Sequence, residues 1–141
     1  MWPDRRVTDL LEIDLPIIQA PMAGAQDGAL AAAVSAAGGL GSQPCAMLSP
    51  DGIRAEVATI RAATDKPFNL NFFCHAASDP DADALATWKA RLGDYYVELG
   101  LDPRMEVSAP NRAPFDAAMA ELVDELGPAV VSFHFGLPSE D

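Results

Sequence analysis

Few side chains in this 141-residue chain carry reactive chemistry, and most of them sit at the ends of apolar runs. The run Pro67-Phe68-Asn69-Leu70-Asn71-Phe72-Phe73 alternates apolar residues at 68, 70 and 72 with amides at 69 and 71. An amide on such a strand offers both a donor and an acceptor, to a bound ligand or to a neighbouring backbone. His134 lies between Phe133 and Phe135. It reads either as a buried ring bonded to a carbonyl or as a residue facing an open site, where imidazole can move protons near neutral pH. His75 follows the amide-bearing run and can line the same opening. Cys45 and Cys74 read as inert, buried thiols. Two Cys and two His match a zinc set in number, but no CxxC or HxxxH spacing supports one.

The elements that must position these residues alternate strand and helix. Leu15–Met22 (LPIIQAPM) reads as a short buried strand closed by Pro21. A helix over about residues 27–37 follows, with Asp27 as its N-cap and Gly38 just past its end. Gly39–Gln43 reads as a small-residue strand, and the Gly38, Gly39, Gly41 cluster as a helix stop and tight packing rather than a phosphate cradle. Ser49-Pro50 is an N-cap followed by Pro at the first helical position, opening a helix to about Ala63 with Ile53, Val57 and Ile60 on one face. The amide-bearing run is the third strand. Asp79–Asp83 reads as a solvated acidic loop. Leu85, Trp88, Leu92, Tyr95 and Leu99 recur at helical steps, residues 103–110 read as irregular, and Phe115, Met119, Leu122, Val123 and Leu126 mark a last helix stopped by Gly127-Pro128. Ala129–Phe135 is the fourth strand. Four strand–helix alternations with short links predict βαβ units and a parallel α/β sheet. No GxGxxG follows the first strand, so a dinucleotide-binding fold loses its main support. In a (β/α)₈ barrel the strand-to-helix links form the rim on which active sites are built. A full barrel needs about 250 residues, so this chain is expected to supply the first four of eight units.

Composition narrows the function classes. Half the residues are hydrophobic and mean hydropathy is slightly positive, which excludes a disordered chain. The net charge of −12 argues against nucleic acid and anionic membrane surfaces as partners. The N-terminus carries no apolar secretion segment, and the Ala-rich stretch from Gly28 to Met47 is too polar and glycine-broken to span a bilayer. A cytoplasmic setting is expected.

Four blocks then converge. PIIQAPMAG (Pro16–Gly24), AAGGLGS (Ala36–Ser42), PFNLNFF (Pro67–Phe73) and VVSFHFGLP (Val130–Pro138) resemble the nitronate monooxygenase family, in the family's order and spacing. The resemblance implies an FMN-dependent TIM-barrel enzyme that oxidises alkyl nitronates with dioxygen. It implies that the backbone of Ala20, Pro21 and Met22 lies against the flavin and that Asn71 hydrogen-bonds it. It also implies that the family's catalytic histidine and its FMN-phosphate loops fall past Asp141, which leaves His134 as the candidate catalytic residue here. On that reading residues 1–141 are the N-terminal half of a barrel, whether truncated, split or completed by a second copy in a homodimer. FMN-using NAD(P)H-dependent flavin reductases and enoyl reductases share the same blocks, and a catalytically silent pairing subunit is the alternative from a different class.

Overall fold

The computed structural model describes residues 2–76, 81–102, 104–105 and 112–139. The chain divides into two units, Met1–His75 with Asn111–Asp141, and Ala76–Pro110.

In the first unit each helix begins where a side chain satisfies its free N–H groups. Helix α1 (Arg6–Leu11) is the exception, since no side chain caps it. An exposed Arg5–Asp9 ion pair spans its first turn. Sequence periodicity does not announce so short a helix. Helix α2 (Gly28–Ala36) is capped by Asp27, whose carboxylate accepts from the N–H groups of Ala29 and Leu30. Glu56 also accepts from Gly28 N at 2.6 Å, tying the start of α2 to the next helix. Strand β1 (Gly41–Pro44) follows, two residues later than the sequence suggests. Helix α3 (Pro50–Ala63) opens with Ser49 accepting from Gly52 N and Pro50 in the first turn, as expected. Strand β2 (Phe68–Phe73) is buried on both faces except at Phe73. Helix α5 (Ala117–Leu126) is capped by Asp116 and stopped by Gly127, whose φ of +50° suits glycine. Strand β3 (Val130–His134) closes the series.

All strands are parallel and lie in the order β1-β2-β3. Ser42 pairs with Asn69, Asn71 with Ser132, and Phe73 with His134. Residues paired in this way share a face. One face therefore carries Phe68, Leu70, Phe72, Val131 and Phe133, which pack with Ile53, Val57, Ile60, Leu122 and Leu126 into the core. The other face carries Ser42, Asn69, Asn71, Ser132 and His134. Arg54 makes two hydrogen bonds to Glu125, at 2.9 and 2.6 Å, bridging α3 and α5, and holds that carboxyl below the ordinary carboxylate range.

The first expected strand, Leu15–Met22, is not one. Only Ile18 pairs, in parallel with Leu40. Pro16 and Pro21 bracket that bridge, and neither has an N–H to extend a ladder. Among the described residues the sheet thus has three strands rather than four.

In the second unit, helix α4 (Ala82–Glu98) is capped by Asp81, which accepts from Asp83 N and Ala84 N. The acidic loop expected over 79–83 is therefore partly a helix start. Asp79 and Pro80 lie outside the described residues, as do Pro103 and residues 106–110 of the expected irregular stretch. No residue of α4 is buried, and of its apolar stripe Leu85, Trp88 and Tyr95 are exposed while Leu92 is half-buried. Among the described residues no helix is long and apolar enough to cross a membrane.

Candidate functional site

The polar face of the sheet borders a cavity of about 300 Å³ lined by Gln19, Pro21, Ser42, Asn69, Asn71 and His134, among others. The parallel register builds it. Side chains two apart on one strand project to the same side, so Asn69 and Asn71 stand over Ser42 on β1 and Ser132 on β3.

Ser132 is the hub. Its Oγ accepts from Asn69 Nδ2 and from Asn71 Nδ2, each at 2.9 Å. Asn69 Nδ2 also donates to Ser42 Oγ at 3.1 Å, and Asn71 Nδ2 to the carbonyl of Ser132 at 3.1 Å. Asn71 Oδ1 lies 3.1 Å from His134 Nδ1. Asn69 Oδ1 is buried with no partner among the described residues. Unmet acceptors this deep are uncommon and call for an explanation. A second set of amides ties the approach to β1. Gln19 accepts from Ser42 N, Gln26 donates to the Ser42 carbonyl, and Gln26 Oε1 accepts from Met22 N. Among the described residues His134 is the one titratable side chain lining the cavity, and no carboxylate does, although the chain as a whole is strongly acidic.

The structure brings Asn71, His134 and Pro21 to this cavity. Ala20 and Met22 are exposed beside it and do not line it. His134 is exposed rather than buried, and its ring meets a carbonyl oxygen, that of the Asn71 side-chain amide. His75 does not line the cavity; it stands edge-on to Phe73 and Phe135. Cys45 is buried as expected, and burial pushes its thiol from 9.0 up to about 12, which keeps it unreactive at neutral pH. Cys74 is only half-buried, because it lies past the end of β2, and so departs from the expected buried thiol. Among the described residues no group of three or more His, Cys, Asp or Glu is placed to hold a metal ion.

Sequence reasoning missed Ser132, Ser42, Gln19 and Gln26 as parts of the site. A signal existed for Ser132, since residues 130, 132 and 134 of a strand must share a face. Replacing Ser132 by Ala removes the acceptor that two amides share. The expected result is a loss of about 1–3 kcal/mol of stability, typical when donors lose a partner away from water. It is read as a lower urea midpoint with unchanged slope.

The family model for nitronate monooxygenase matches residues 4–141, nearly the whole chain. The chain belongs to the nitronate monooxygenase family. The nitronate monooxygenase of Paraburkholderia phytofirmans is 46% identical over 138 residues, covering 97% of this chain and 38% of the relative. That of Pseudomonas aeruginosa is 42% identical over 137 residues, covering 96% of this chain and 39% of the relative. The solved nitroalkane oxidase of Streptomyces ansochromogenes superposes with a TM-score of 0.74 at 34% identity, over 94% of this chain and 37% of that one. This family member thus spans 38% and 39% of the length of those two monooxygenases.

Proposed function

We propose that this chain forms the first part of an FMN-dependent nitronate monooxygenase of (β/α)₈ type, and that its polar sheet face holds the flavin ring beside a nitronate. The observation that carries this reading is the buried, unpartnered acceptor Asn69 Oδ1, on a residue that lines the same cavity as the Asn71–His134 pair. The residues fit the ring end of FMN. Its pyrimidine edge offers an N–H that a buried carbonyl oxygen without a partner can accept, and backbone contact fixes such rings. Asn71 has both amide hydrogens engaged and its oxygen turned to His134, so Asn69 is the better placed of the two amides. Ala20, Pro21 and Met22 supply the adjoining backbone, held by Gln26. His134 is the side chain that meets the substrate in this reading. If bound here, FMN would supply the redox chemistry between a nitronate and dioxygen. The chain's own residues bind and orient the ring, and present an imidazole on a cavity that, among the described residues, no carboxylate lines.

The residues fit the phosphate of FMN poorly. Helix starts attract phosphate through unsatisfied N–H groups. Here α2, α4 and α5 each carry an aspartate on those groups. In this reading the phosphate lies away from those three helix starts.

A chimera tests the whole reading. This chain replaces the matching portion of the Paraburkholderia relative, and the product is saturated with FMN. Oxygen uptake that depends on an added alkyl nitronate, without bleaching by NADH, is expected. Bleaching by NADH with no nitronate-dependent uptake points to a flavin reductase, and a folded chimera without flavin to a silent pairing subunit.

A further inference from the structure

We propose that Asn71 is a positioning residue that locks the neutral His134 ring with its proton on Nδ1, leaving Nε2 as the acceptor offered to substrate. The chain of donors decides the direction. The carbonyl of Ser132 can only accept, and it lies 3.1 Å from Asn71 Nδ2, so the amide nitrogen must point that way. Ser132 Oγ, 2.9 Å from the same nitrogen, takes its other hydrogen. Asn71 Oδ1 is thereby turned to His134, at 3.1 Å from Nδ1. An amide oxygen has no proton to give, so Nδ1 must carry one. A neutral imidazole has one N–H, and Nε2 keeps its lone pair. The lock is rigid, because Asn71 is 2% exposed on the central strand and its orienting partner sits directly across the register on β3.

The consequence for the site rests on the monooxygenase reading above. A neutral carbon acid or nitronic acid meets a lone pair at Nε2 and donates its proton there; the resulting imidazolium keeps Nδ1–H on Asn71 and returns Nε2–H to the conjugate base. A nitronate anion is held at the same nitrogen once Nε2 is protonated, both N–H groups then donating. In either case Asn71 keeps Nδ1 out of the exchange, so one nitrogen handles every proton.

The test uses the flavin-free chain and nitrogen-15 NMR of the histidine rings at a pH where they are neutral, with His75→Gln to assign the two rings. Wild type is expected to show a protonated Nδ1 and a bare Nε2 at His134. Asn71→Asp, which keeps an acceptor facing the ring, retains that pattern; Asn71→Leu, which removes it, reverts to the Nε2–H form that free histidine prefers. A wild-type ring protonated on Nε2 overturns the proposal, whether or not the Leu variant folds. Because no flavin is present, this result stands apart from the chimera. A bare Nε2 in a chimera without nitronate activity would sink the monooxygenase reading and leave the lock intact.

Discussion

Mixed with excess FMN and desalted, the purified 141-residue chain is expected to emerge colourless. The ring end of the cofactor finds Asn69 Oδ1 and the backbone near Pro21, but its phosphate finds helix starts already occupied by Asp27, Asp81 and Asp116. Each hydrogen bond to a charged group is worth about 1.5–3 kcal/mol. Forgoing two or three of them weakens binding by roughly a hundredfold or more. A sharper form follows. Riboflavin lacks the phosphate, so it is expected to bind this chain as well as FMN does, measured by quenching of flavin fluorescence. A yellow, stoichiometric FMN complex, or a large preference for FMN over riboflavin, would show that the described residues do hold the phosphate.

The second large effect is steric. Replacing Gly41 by Ala is expected to abolish cooperative folding of the sheet unit. A Cβ at that position would collide with the carbonyl oxygen of Ala31 and sit 2.7 Å from Ser35 Oγ. The obstacle is the backbone of α2, which cannot swing aside as a side-chain tip can. Overpacking ordinarily costs about 1–3 kcal/mol. Here the helix must leave the sheet, pulling apart Ser35 Oγ and its bonds to Gly41 N and the Pro67 carbonyl, so the cost should exceed that range. Gly93→Ala is the control. A Cβ there meets nothing within 4 Å, and alanine favours a helix interior by about 0.5–1 kcal/mol over glycine. Thermal melts followed by circular dichroism should show a broad, early transition for the first variant and an unchanged or raised midpoint for the second. A normal melt for Gly41→Ala would mean that α2 lies farther from β1 than described.

What the residues disclosed in advance follows from range. Caps are local, and Asp27, Ser49 and Gly127 stand where their neighbours implied. The period-two amides of β2 were legible for the same reason. The partner that orients them was not, because Ser132 meets Asn71 across 61 residues and only the parallel register brings them together. Leu15–Met22 misled through its apolar composition, since two prolines allow a single bridge at Ile18. The apolar stripe of α4 was legible as a helix but said nothing about burial.

That bridge has a further consequence. Beyond Gln19, whose N–H donates to the Leu40 carbonyl at 2.9 Å, the segment through Met22 is fastened to the sheet by glutamine side chains instead of strand pairing. Such fastenings break singly and cheaply, while β2 can open only with the core around Leu70. The wall near Pro21 is therefore held by separate side-chain bonds, and the floor beneath it by the core.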